Sequence, residues 1–263
     1  MHLDVLDLKA FYYRTTLGRW VQAALQRRVK EMWTGTRGCR VEGFGFAAPL
    51  LRPFMGESEL LLNFMPAEQG VMRWPADGAN RSVLVEETAW PIEAGSVDRL
   101  IVAHGLETCE RPAALLEEMY RVVAPEGRII VIVPNRLGSW ARRDATPFGY
   151  GRPYSQGQLD RQLREHGFDP VSHHGALYAP PHYGRKSLRM ANWVERAAHR
   201  IDPQRFAGVL VVEAMKRLYP PPTKLAERAR NPLGLFGDIS TPVPAQPAGV
   251  RGFGVEKGLQ RDP

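Results

Sequence analysis

Between Arg81 and Asn135 the spacing of apolar residues changes period twice. VLVEE and VDRLIVAH are short β-rich runs, joined by a connection that carries Trp90-Pro91. Leu115, Leu116, Met119, Tyr120 and Val123 then recur at helical spacing, which predicts a helix. Ala124-Pro125-Glu126-Gly127 stops it, and RIIVIVP follows as an unbroken apolar run. Such a run predicts a central strand covered on both faces. Strands alternating with helices predict a parallel α/β sheet, in which ligands bind outside the carboxyl ends of the strands. Those ends carry Glu86-Glu87, Ala103-His104 and Pro134-Asn135.

The same reading extends in both directions. Residues 4–33 place Leu6, Phe11, Leu17, Trp20, Val21, Leu25 and Val29 near helical spacing, with Gly18 as a weak point. Cys39–Val41 is the expected first strand, followed by the turn Gly43-Phe44-Gly45-Phe46-Ala47 and a crossover helix beginning near Pro49. Glu59–Phe64 is the second strand, and Pro66 to Gly78 reads as irregular loop. Residues 83–87, 98–103 and 128–133 supply the third, fourth and fifth strands. Ser155-Gln156-Gly157-Gln158 is a capping box opening a helix over Gln158–His166, closed by Gly167. Phe168–Leu177 and Val209–Met215 are the last two strands, with a helix near 187–200 between them. From Pro220 the chain is rich in Pro and Gly without a period, which predicts a disordered tail. Three segments result: a helical lead at 1–37, a main domain at 38–219 and a tail at 220–263.

Composition narrows the class. A chain of 263 residues holds one large α/β domain with appendages. Hydrophobic content of 44% and charged content of 24% suit a globular protein. No run approaches the ~18 apolar residues of a membrane span, and the first residues lack the pattern of a signal peptide. Cys39 and Cys109 are the only cysteines, with no CxxC pairing, so we expect a reducing cytoplasm and no metal site. The net charge of +7 admits a nucleic-acid partner, but no basic run is interleaved with aromatics, and that partner is not favoured.

Four patterns carry a family resemblance. They are Glu87 ahead of Trp90-Pro91, Ser96-Val97-Asp98 opening a strand, His104-Gly105-Leu106-Glu107 with Pro112, and Glu118…Arg121-Val122 leading to Pro125-Glu126-Gly127-Arg128. Over roughly 38–170 the chain resembles the class I S-adenosylmethionine-dependent methyltransferases of the type 11 group. The resemblance implies a Rossmann-like seven-stranded sheet flanked by helices, with an antiparallel final strand. It implies S-adenosylmethionine as cofactor and an acceptor it does not name.

Gly43 and Gly45 fall on the first two glycines of the family's G-x-G-x-G loop, where backbone must approach the cofactor. Ala47 stands for the third glycine, and Val41 for an acid, with Glu42 displaced by one. The acid after the second strand, which would accept from the ribose hydroxyls, is absent from Leu62-Asn63-Phe64-Met65-Pro66. Asn63 is the best remaining acceptor, then Gln69. Glu87 matches the acid that contacts the adenine amine, with the Thr88 backbone beside it and Glu86 as the rival in an alternative register. His104 faces the expected site and is the weak candidate for a catalytic base, a partner for the cofactor's sulfonium region, or a packing residue; Glu107 is weaker still. The lead segment is either a packing helix or a lid bringing Tyr12, Tyr13 or Arg14 to the cofactor.

PNRLGSWARRDATPFGYGRP lies over the expected mouth. Arg136, Trp140, Arg142, Arg143, Arg152 and Tyr154 are its candidates for holding an acceptor, through arginine forks suited to phosphate or carboxylate. The alternative is a lid packed down by Trp140 and Phe148. Two functions remain open: a methyltransferase of unknown acceptor, or a methyltransferase-like interaction or regulatory protein without catalysis. A nucleotide-binding oxidoreductase fits poorly, because Ala48 replaces the last glycine of G-x-G-x-x-G.

Overall fold

The apolar run Ile129–Val133 is fully buried, as a strand sandwiched between two helical layers must be. The computed structural model describes residues 3–181, 185–201 and 204–218, and the tail from 220 lies outside them. Seven strands form one sheet: β1 (Arg40–Gly45), β2 (Leu60–Pro66), β3 (Ser82–Val85), β4 (Val97–Ala103), β5 (Val123–Pro134), β6 (Phe168–Ala176) and β7 (Val209–Lys216). Their order is β3-β2-β1-β4-β5-β7-β6. The first five are parallel, and β7 runs antiparallel between β5 and β6. This is the expected Rossmann-like sheet with its reversed strand.

Alternation along the strands splits the core in two. Val41, Leu61, Ile101, Ile130 and Ile132 face a layer built from α1 (Val5–Lys9), α2 (Thr16–Met32) and α3 (Ala48–Leu51). Phe44, Phe64, Leu100, Val102 and Val131 face α4 (Pro112–Val122) and α5 (Gln156–Glu165). The helix after β6, α6 (Arg185–Ile201), adds Ala191 to the first layer.

Four boundaries differ from the sequence reading for local reasons. The lead is not one helix. A π-helical turn at Ala10–Arg14 follows α1, and Thr15 turns extended before capping α2. The Thr15 hydroxyl donates to Phe11 O at 2.7 Å and accepts from Gly18 N at 2.8 Å. Gly18 is a contact point here: a Cβ would collide with the Phe11 carbonyl. β1 extends through both glycines, because Phe46 N donates to Ala103 O at 2.8 Å and continues the ladder. The Ala124–Gly127 stop lies inside β5, where the register against β4 shifts and Glu126 adopts φ 61°. The capping box is present, but α5 starts at Gln156, directly after its Ser155 cap.

Replacing Thr15 by Ala removes the cap and one hydroxyl bond at the break. Denaturant unfolding of Thr15→Ala should show a loss of about 1 kcal/mol, the ordinary cost of a lost N-cap.

Candidate functional site

The carboxyl ends of β1, β2 and β4 meet tightly. Gly45 sits at φ 76°, and a Cβ there would run into the Ala103 carbonyl oxygen. A Cβ on Gly43 would stand 2.7 Å from both Ala47 Cβ and Asn63 Oδ1. Both glycines are therefore demanded by the chain's own close approaches, whatever ligand lies above them. Asn63 pairs in register with Gly43 and is 0% exposed. Its amide donates to Gly45 O at 3.3 Å, while Oδ1 has no hydrogen-bond partner.

His104 follows β4 in a left-handed conformation, φ 51°, that an L-residue adopts only under constraint. Its carbonyl accepts from Gln69 Nε2 at 2.8 Å. Gln69 in turn accepts from Val5 N through its own carbonyl, at 2.8 Å, which ties the lead segment down. Tyr12 meets His104 Nε2 at 2.8 Å and stacks on Phe46 with centroids 5.5 Å apart. Burial, with Glu107 adding, pushes the Tyr12 phenol well above its ordinary range, so it remains a neutral donor. A phenol donating to Nε2 leaves the ring proton on Nδ1, and Glu107 Oε1 lies 3.2 Å from that nitrogen. The pair is close in distance but not aligned as a hydrogen bond, so both Glu107 oxygens lack an aligned partner. His104 and Glu107 are each 1% exposed.

Glu87 is buried and Glu86 exposed, so the inward-facing acid of that pair is Glu87. Burial and a hydrogen bond to Glu87 push the Cys109 thiol up to about 12, which sets the acid beside the segment after β4. The Thr88 hydroxyl accepts from Arg111 at 3.3 Å.

The segment after β5 is a packed lid. Trp140 is fully buried, donates to Ala179 O at 2.8 Å and stacks against Trp20. Phe148 meets Trp140 edge-on and lies 4.7 Å from the His104 ring. Tyr154 is buried, and burial with Glu107 pushes its phenol up to about 12. Arg136, Arg142, Arg143 and Arg152 are exposed. Arg136 donates to Pro153 O and Arg143 to Pro181 O, each at 3.3 Å. The structure thus brings Gly43, Gly45, Asn63 and His104 together, and separates the inward Trp140 and Tyr154 from the outward arginines. The Glu107–His104 pairing was not legible beforehand; the only sequence signal is its three-residue spacing.

Asn63 Oδ1, Gln69 Oε1 and the Glu107 carboxylate are buried acceptors without aligned donors on neighbouring strand ends. Buried acceptors of this kind need a donor-rich or cationic partner. S-adenosylmethionine carries an ammonium, ribose hydroxyls, an adenine amine and a sulfonium, so the residues fit it. Among the described residues, no cluster of His, Cys, Asp or Glu could hold a metal. No helix among them is long and apolar enough to cross a membrane.

Residues 62–131 match the family model described as a methyltransferase domain. Over that stretch the chain is similar to methyltransferase domains, and the fold is that of the class I S-adenosylmethionine-dependent methyltransferases. S-adenosylmethionine is the implied cofactor and the acceptor is not identified. No curated protein matches the sequence. Solved methyltransferases share the fold. One from Archaeoglobus fulgidus is 16% identical, with TM-score 0.54, 81% of this chain covered and 100% of that one. One from Mesorhizobium loti is 14% identical, with TM-score 0.54, 74% and 100% covered. A chain from the Haloferax volcanii complex of the Trm112 activator with a methyltransferase is 15% identical, with TM-score 0.56, 81% and 97% covered.

Gly45→Ala should destabilise the protein by a few kcal/mol, about 1 for the positive φ and the rest from the collision at Ala103. The melting temperature should fall without cofactor in solution. An unchanged value would remove the close approach as the reason for this glycine.

Proposed function

We propose that the protein methylates an acceptor that loses a proton on reaction, with His104 as the base that takes it. The observation that carries this reading is the buried chain Tyr12–His104–Glu107 at the end of β4. The Tyr12 hydroxyl occupies the hydrogen-bonding position on Nε2 that an acceptor O–H or N–H would take. The acceptor takes the place of the Tyr12 hydroxyl on Nε2, and as it bonds to the methyl carbon its proton passes to that nitrogen, with Glu107 offsetting the charge gained by the imidazole. When bound, the cofactor supplies an activated methyl group and leaves as a neutral thioether. Asn63 Oδ1 serves the ribose in place of the family's acid, Glu87 and the Thr88 backbone the adenine, and the Gly43–Gly45 strand end the methionine part. Phe148 and Trp140 exclude water beside His104, a condition for in-line transfer.

The exposed Arg136, Arg142, Arg143 and Arg152 rim the lid and suit an acceptor carrying a phosphate or carboxylate. The free cysteines Cys39 and Cys109 accord with work in the cytoplasm. The inactive reading gains no support from the comparisons.

Calorimetric titration with S-adenosylmethionine and its demethylated product tests the cofactor site first. A screen of hydroxyl, phenol and amine acceptors then follows methyl transfer. His104→Ala should keep cofactor affinity and lose about 10²–10⁴-fold in kcat, the usual scale for a general base. Glu107→Gln should lower kcat with cofactor affinity held. The four arginine-to-alanine variants should raise KM for the acceptor alone. Full turnover in His104→Ala would overturn the assignment of the base.

A further inference from the structure

The connection from β3 to β4 lacks a helix: 86–96 is turns, bends and a single bridge. The α4-side face of β1 and β2 is therefore uncovered at its amino-terminal end, opposite the methyl-transfer mouth. A cavity of about 660 Å³ opens there, lined by Arg40, Glu42, Leu60, Ser96, Arg121 and the run Trp90–Glu93. Leu60, Trp90, Pro91 and Ile92 make it apolar on one side.

Its polar groups are unequal. The Arg121 fork is fully engaged, with Glu118 and with the carbonyls of Trp90 and Ile92. The Ser96 hydroxyl donates to Glu93 O at 2.8 Å. Arg40 is exposed, and among the described residues its guanidinium has no hydrogen bond or ion pair. Glu42 is only 2% exposed, on the same face of β1 as Phe44, which stacks on Trp90. Its Oε2 has no hydrogen-bond partner. A buried carboxyl with an idle oxygen, beside a free guanidinium and an apolar wall, suits a ligand with its own polar head and short apolar body.

We propose that this cavity is a second ligand site, for a small amphipathic carboxylate held between the Arg40 guanidinium and the Glu42 carboxyl group. Nothing in methyl transfer uses either residue. The head must be an anion, because Arg40 repels a cation at the mouth and offers a fork that matches carboxylate. Burial pushes the Glu42 carboxyl up to about 8, with Asp98 on β4 adding and Arg40 opposing. Glu93 in the 90–96 connection and the Arg121–Glu118 pair on α4 complete the charges around it. Below that value Glu42 is a neutral acid that donates to a bound carboxylate; above it, two anions would meet.

The test uses the full chain with sodium hexanoate as probe and n-butylamine as the cationic control, followed by NMR titration. Saturable hexanoate binding is expected at pH 6.5, at least tenfold weaker at pH 9.5, with no butylamine binding. Glu42→Gln should bind hexanoate equally at both pH values, since its amide still donates. Arg40→Ala, at an exposed position that leaves the fold intact, should weaken binding tenfold or more at pH 6.5. Absence of saturable hexanoate binding, binding indifferent to Arg40→Ala, or preference for butylamine would each overturn the proposal. Should Glu42→Gln fail to fold, the wild-type pH pair and Arg40→Ala still decide.

Discussion

The organisation of the carboxyl end of the sheet depends on how His104 is held. Its backbone is forced into a left-handed conformation between Gln69 and the close approach of β1 to β4. Its ring is fixed from two sides, by Tyr12 and by Glu107. These restraints come from four places in the sequence, and each is also a packing contact of another element. Loosening one therefore moves the others. The lead segment docks through Gln69, the glycine strand end lies against Ala103, and the lid rests Phe148 on the imidazole. Low dielectric around the ring strengthens every one of these interactions, and makes an unpartnered carboxylate costly unless the cofactor's positive charge or the imidazole offsets it.

The sheet was legible because its evidence is periodic. Apolar runs such as Ile129–Val133 and the stripe on α4 repeat at spacings that only one kind of element satisfies. The breaks were harder, because they are decided by single contacts. Thr15 ends one helix and caps the next through two hydrogen bonds of one hydroxyl, and the Glu126 bulge lets a stop signal sit within a strand. Neither leaves a periodic trace.

The candidate site was legible in part. Gly43, Gly45, Asn63 and His104 were identifiable, since each ends or borders a strand whose position was predictable. The reason for the glycines was not, because the obstruction is the chain's own backbone and appears only in three dimensions. Glu107 was underrated because a carboxylate three residues after a histidine is common on any loop. The cavity around Glu42 was invisible, since it arises from a helix that the 86–96 connection does not form, and missing cover has no sequence motif.

The lead segment also has a consequence for how the chain is made. Its partners are synthesised long after it: Tyr12 awaits a residue 92 positions later, and Trp20 one 172 positions later, at Asn192. At synthesis rates of roughly 5–20 residues per second, that interval is on the order of ten seconds or more. Throughout it, Phe11, Tyr12, Leu17 and Trp20 have no sheet to bury them. A segment made well before its partners is among the last to reach its place, and a nascent chain carrying so many bare aromatics offers a ready hold for a chaperone.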